Sequence, residues 1–307
     1  MKLLEKLVKI RATSGDESQM TEFILNYIKS NSKNWKVKPK IFYGDGFQDA
    51  IVLVFGKPSV AVYAHIDSIG FTVGYNNNLI PIGGPRIIDG CKLVGEDSKG
   101  KIETELMVIE NEEGDKNIQA VYKRQIDRGT NLTFKPKFKE SENYIQSPYM
   151  DNRLGVWVAL NLTSTLENGA IVFSTYEEHR GGSAGFLAKF LLNKYKVRQA
   201  LVCDITWVTD GVSHGKGVAI SMRDSGIPRR KYLNQIIEIA KKSKINYQLE
   251  VESSGGSDGT NLQMSDSPID WCFIGAAEAN VHSPTEKVHK SDIAAMLALY
   301  QTLIKKL

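Results

Sequence analysis

After residue 150 the chain alternates between two hydrophobic periods, and this constrains its fold more than any other feature. Apolar residues at helical spacing occupy 152–166, 184–192, a stretch near 231–242, and 292–305. Between them lie short apolar runs of strand length at 170–176, 200–205, 247–252 and 269–274. Near-continuous apolar runs predict strands covered on both faces, with the intervening helices as covers. The alternation also holds before residue 66. There an amphipathic N-terminal helix is followed by a helix over 17–28, with Met20, Phe23, Ile24, Tyr27 and Ile28 at helical spacing. Strands follow at 37–43, 50–55 and 60–65, the first an edge strand because Pro39 has no ladder donor.

Between these halves the pattern breaks. Short alternating segments are punctuated by Asn76-Asn77-Asn78, Gly83-Gly84-Pro85, Asp89-Gly90 and Glu113-Gly114-Asp115. Turn signals this dense predict a small all-β module inserted in an α/β domain. The expected organisation is a discontinuous main domain of 1–69 and 147–307 and an inserted β domain over 70–146. An open α/β sheet of this kind carries its site at the strand ends.

Composition removes several alternatives. The formal net charge is only +4, and the clusters Arg229-Arg230-Lys231 and Lys241-Lys242 lack interleaved aromatics, which predicts solvated faces and no nucleic-acid partner. Three cysteines without close spacing encode neither a disulfide framework nor a zinc knuckle, and Cys203 and Cys272 are expected to be buried. The N-terminal segment lacks the uninterrupted apolar stretch of a signal peptide, and no run reaches membrane-spanning length, so the expected compartment is the cytoplasm, with no membrane partner.

The chemistry gathers where apolar runs stop. His65 and Asp67 follow one run, Asp151 precedes a helix, Glu177 and Glu178 follow another run, Asp204 a third, and His282 a fourth. Imidazole and carboxylate together are the ligand set of zinc or a similar divalent ion. Each residue alone reads as a cap or a satisfied polar group. Taken together they read as ligands, because so many carboxylates at one sheet edge would repel one another without cations. Glu177 and Glu178 are neighbours, and neighbours on a strand point to opposite faces. Different jobs are therefore expected of them.

The order His65-x-Asp67, Asp151-Asn152-Arg153-x-Gly155, Glu177-Glu178, Asp204-Ile205-Thr206 and His282-Ser283-Pro284 resembles the dinuclear-metal aminopeptidase family of glutamyl aminopeptidase, deblocking aminopeptidase and the tetrahedral assemblies. The resemblance implies a three-layer α/β/α open mixed sheet, zinc-peptidase-like, with an inserted small β-barrel-like domain that covers the site or makes subunit contacts. It implies two divalent ions, zinc or alternatively cobalt or manganese, bridged by Asp151. One ion would also take His65 and Asp204, the other Glu178 and His282. Glu177 would be the general base and Asp67 the partner that orients His65. Asp258, in the run Gly255-Gly256-Ser257-Asp258-Gly259-Thr260, resembles a loop beside the family's site, and it reads equally well as a strand-to-helix turn.

The implied activity is removal of N-terminal residues from peptide substrates. The same ligand set would serve a deacylase of N-acyl amino acids or peptides. A glycosidase would leave the histidines without a role, and a non-catalytic metal-binding scaffold would not need Glu177. One departure from the family is Glu278, where a basic residue is usual shortly before the last histidine, so a preference for acidic substrates does not carry over. Among the other histidines, His179 reads as a surface or structural residue, and His214 and His289 as exposed. A homo-oligomer, a dimer or larger, is expected because Leu106, Val108, Val121, Phe134 and Phe138 would leave a lone module partly exposed.

Overall fold

A computed structural model describes residues 1–110, 116–179 and 181–307. The chain opens with helices α1 (Lys2–Leu7) and α2 (Ser18–Asn31) and strands β1 (Lys40–Phe42), β2 (Ile51–Phe55) and β3 (Val60–His65). It then forms β4 (Gly70–Val73), β5 (Leu79–Ile82), β6 (Lys92–Asp97), β7 (Gly100–Glu110), β8 (Lys116–Val121) and β9 (Asn131–Phe134). After β10 (Lys139–Glu140) and β11 (Tyr144–Gln146) come α3 (Met150–Leu162), β12 (Gly169–Ser174), α4 (Ala184–Tyr195), β13 (Gln199–Trp207) and β14 (Val218–Arg223). The last elements are α5 (Arg230–Ser243), β15 (Tyr247–Val251), α6 (Asp258–Met264), β16 (Asp270–Ala279), β17 (Lys287–His289) and α7 (Lys290–Lys306).

The central feature is an 11-stranded mixed sheet in which β12, β3, β13 and β16 lie side by side and parallel. Alternate strand residues feed two cores. Leu53, Val62, Ile171 and Leu201 pack with the apolar sides of α1, α2, α3, α5 and α7, whereas Val52, Tyr63, Val172 and Val202 pack with Leu187 of α4 and Leu262 of α6. This is the three-layer α/β/α sandwich expected. Cys203 and Cys272 are fully buried in the first core.

Strands β4 to β9 form a separate six-stranded antiparallel sheet, ordered β5-β4-β9-β6-β7-β8. A bridge between Asn78 and Gln119 brings its two edges together into a nearly closed barrel. Along β7, Ile102, Thr104 and Leu106 are buried while their neighbours face water, the period-2 pattern of a sheet with one wet side. The turn expected at 113–115 lies outside the described residues.

One boundary changes here, and so does the ground of one expectation. The module was expected to run to residue 146, but β10 and β11 belong to the large sheet, β11 pairing with β17. The apolar residues that motivated an oligomer mostly serve the protein's own core: Leu106 and Phe134 are 0% exposed, Val108 and Phe138 are half-buried, and of the five only Val121 is exposed. Among the described residues, no helix is long and apolar enough to cross a membrane.

Candidate metal centre

Because β12, β3 and β13 are parallel neighbours, their carboxyl ends fall at one sheet edge. His65 ends β3 opposite Ser174 of β12, Glu177 and Glu178 follow β12, and Asp204 lies on β13 opposite Gly275 of β16. His282 comes in from the loop after β16, and Asp151 from the distorted start of α3, whose backbone is non-helical at Asp151 and Asn152.

The distances bring all seven expected residues together. His65 Nε2 lies 3.2 Å from Asp151 Oδ1 and 3.4 Å from Asp204 Oδ2. His282 Nε2 lies 3.3 Å from the other Asp151 oxygen, Oδ2, and 3.1 Å from Glu178 Oε2. The Asp151 carboxylate therefore stands between two imidazole–carboxylate pairs. Glu177 Oε2 is 3.8 Å from His65 Nε2, and Asp67 Oδ1 is 3.4 Å from the far ring nitrogen of the same histidine. Ligand atoms of His65, Asp151 and Glu178 also fall within 4.8 Å of one another, so the two sides of Asp151 are close together.

Backbone contacts set this arrangement. Asp67 accepts from the Glu177 and Glu178 N–H groups, at 3.1 Å each, and from the Ser14 hydroxyl at 2.6 Å. The turn it holds begins at Tyr176, whose φ of 62° is left-handed. Arg153, 0% exposed, donates to the Ile66 and Asp67 carbonyls and fixes the loop after His65. Asn152 donates to the Cys203 carbonyl at 2.9 Å. Gly155 must be glycine, since a Cβ there would stand 2.1 Å from that same carbonyl oxygen.

Several contributors escaped the sequence. Glu286, fully buried, accepts from the Met150 and Asp151 N–H groups and so places the Asp151 backbone. The barrel loop Gly83-Gly84 reaches the site: the Gly84 carbonyl lies 3.1 Å from His282 Nδ1, and His179 accepts from the Gly83 N–H at 3.0 Å. Asp258 lies beneath the site, accepting from the Ser174 hydroxyl, at the start of α6. It is both the site neighbour and the strand-to-helix turn that its sequence offered. Glu278 is 1% exposed, with both carboxylate oxygens lacking hydrogen-bond partners. His214 and His289, expected to be exposed, are half-buried, each in edge contact with the Tyr144 ring.

The electrostatics are those of a site short of positive charge. Burial alone would lower the proton affinity of both histidines, yet Asp204, Asp151 and Asp67 outweigh it and raise His65 well above its ordinary value. Glu178 and Asp151 likewise push His282 up to about 12. Burial raises Glu178 and Asp204, and nearby Asp151 adds to the effect in each. The residues fit divalent cations. The donors are imidazole nitrogens and carboxylate oxygens, Glu178 Oε1 is buried without a partner, and no lysine or arginine among the described residues forms an ion pair with these side chains. A cavity of about 260 Å³ opens on Asp151, Glu177, Glu178, Asp204 and His282.

Comparison with known proteins agrees with this geometry. A curated sequence of Acetivibrio thermocellus, named as an aminopeptidase, is 27% identical over 324 residues, covering 95% of this chain and 94% of its own. The structure of aminopeptidase APDkam598 from Desulfurococcus kamchatkensis superposes with a TM-score of 0.84 at 22% identity, covering 100% of this chain and 94% of that one. The TET1 peptidase of Pyrococcus horikoshii, described as assembling into a tetrahedron or a large octahedral shell, gives 0.80 at 22% identity over 100% and 99% of the two chains. The family model of the M42 glutamyl aminopeptidases matches residues 92–299, more than half of the chain. The chain belongs to the M42 glutamyl aminopeptidase family of metal-dependent aminopeptidases.

Proposed function

We propose that the protein is an aminopeptidase with two divalent ions, zinc or alternatively cobalt or manganese, which His65, Asp204, Glu178 and His282 would hold together with the shared carboxylate of Asp151. The observation that carries this reading is the placement of the two Asp151 oxygens, one 3.2 Å from His65 and the other 3.3 Å from His282. Asp204 completes the His65 side and Glu178 the His282 side. When bound, the ions would acidify a water and polarise the scissile carbonyl.

Glu177 is the general base, taking the proton of the attacking water and handing it to the leaving amine. It stands at the cavity wall within 3.8 Å of His65 Nε2. Asp67 positions it through the backbone and faces the outer ring nitrogen of His65. The Gly84 carbonyl accepts from His282 Nδ1–H and leaves Nε2 free to ligate. A glycosidase would use neither histidine.

The test is hydrolysis of aminoacyl reporters, free and N-acylated, after chelation and after adding zinc, cobalt or manganese. Chelation should abolish turnover and metal restore it, on free amines only. Full turnover without metal would overturn the reading, and preference for acylated reporters would favour a deacylase. By analogy with the TET1 peptidase of Pyrococcus horikoshii, which can assemble into a tetrahedron or a large octahedral shell, we propose a homo-oligomer. Sedimentation should give a mass well above one chain, and a monomer throughout the working range would refute this.

A further inference from the structure

The cavity beside the metal centre has two kinds of wall. One is the ligand cluster. The other joins the apolar surfaces of Trp207 and Phe273 to three more carboxylates, Asp224, Glu250 and Glu252. These come from one place in the fold, because β14 and β15 pair in parallel and bring Asp224, at the end of one, beside Glu250 and Glu252, at the end of the other.

Two of these carboxylates are buried and make no ion pair among the described residues, although Arg223 acts on Asp224 through space. Glu250 is 3% exposed and accepts from the Thr206 hydroxyl on Oε1, and the neighbouring Ser221 hydroxyl also favours its charged form. Asp224 is 7% exposed and accepts from the Gly226 N–H on Oδ1. No ion pair among the described residues includes either of them or Glu252. Arg223, the adjacent cation, donates to the Asp224 backbone carbonyl and does not line the cavity. Burial raises both carboxyls above their ordinary values, a cost that an incoming cation would relieve. Among the described residues, His65, Asp151 and Glu178 hold their ligand atoms close enough together to share one ion, and Asp224, Glu250 and Glu252 are not such a group. The wall suits a longer ligand with an apolar stem and a positive tip, the shape of a lysine or arginine side chain.

We propose that this cavity receives the side chain of the substrate's N-terminal residue and selects a cationic one, lysine or arginine, through Asp224, Glu250 and Glu252. The inference rests on the aminopeptidase reading and departs from the acidic preference in the family's name. A glutamyl side chain would meet three like charges. The stem would lie along Trp207 and Phe273, and the indole face of Trp207 would add attraction for the tip.

The experiment compares lysyl and norleucyl reporters, which share a stem and differ by the charged tip, alongside arginyl, leucyl and glutamyl reporters on metal-reloaded enzyme. The lysyl reporter should exceed the norleucyl one at least roughly tenfold in kcat/KM, mainly through KM. Glu250→Gln should bring that ratio towards one. Glu252→Gln, at a half-exposed position that tolerates change, should lower it partly, which keeps the test valid if the buried variant fails to fold. A norleucyl or glutamyl reporter cleaved as well as the lysyl one, or an unchanged ratio in the folded variants, would overturn this inference and leave the aminopeptidase reading standing. Absence of hydrolysis of every reporter would instead remove that reading, and this inference with it.

Discussion

Asp67 explains how two adjacent carboxylates share one small site. Its two oxygens take the N–H groups of Glu177 and Glu178 separately, each at 3.1 Å, so the chain turns between them and both side chains reach the cavity. The two then differ in what they touch. Glu178 Oε2 is 3.1 Å from His282 Nε2, and its side chain is 3% exposed; Glu177 is more open, at 14%, and its Oε2 lies 3.8 Å from His65 Nε2. Glu178→Gln should therefore lower bound metal and activity together, with partial rescue by excess metal, because a neutral amide is a weak ligand. Glu177→Gln should keep both ions and lose about a hundredfold to ten-thousandfold in turnover, with no rescue. Metal content per chain measured beside turnover decides the matter, and the reverse pattern would exchange the two roles.

At the level of elements, the sequence was legible wherever burial imposes a period. Strands β2, β3, β12, β13 and β16 follow near-continuous apolar runs; His65, Asp67, Glu177, Glu178 and His282 lie at or beyond the ends of three of them, Asp204 lies inside β13 and Asp151 at the start of α3. Pairing partners were not legible: β11 has an ordinary short-strand sequence, and only tertiary contact with β17 assigns it to the large sheet. The supporting groups were hidden for a similar reason. Nothing local marks Glu286, Gly84 or Glu250, since each acts on a residue far away in sequence. Glu17 belongs with these, for it sits just before α2, 1% exposed, and accepts from the Gly15 and Tyr176 N–H groups, bracing the turn that presents the glutamates. Burial first, and then nearby Asp67, raises its carboxyl from 4.5 to about 7. With the folded value above the unfolded one, the native state binds more proton between about 4.5 and about 7, so this group's contribution is full below that window and lost as pH rises through it. Glu17→Gln keeps an acceptor and removes the titration. Relative to wild type its urea midpoint should rise between pH 4.5 and pH 8, and a difference independent of pH would sink this account.

On the scale of the whole molecule, the metal centre is where separate parts of the chain are tied together. Asp67 is linked to Ser14 near the N-terminus, His65, Asp204 and Glu178 to three parallel strands, Asp151 to α3, and His282 to both the strand β16 and the barrel loop at Gly84. Without cations this convergence opposes folding, because buried carboxylates gather and can be neutralised only by protons on the histidines and on one another. With cations it favours folding, since ions that bind the native state alone add RT ln(1 + [L]/Kd), about 4 kcal/mol per site at a thousandfold excess over Kd. Chelated protein should therefore unfold at clearly lower urea than reloaded protein, although none of the surrounding packing has changed. On the proposed assignment, His282→Ala removes a ligand from one side of Asp151 and leaves His65 and Asp204 on the other. The metal-dependent rise in midpoint should shrink in that variant without vanishing, and Asp151→Asn, which weakens both sides, should reduce it further. Identical midpoints for chelated and reloaded wild type would mean that protons alone balance the cluster and that ions play no part in holding these elements together.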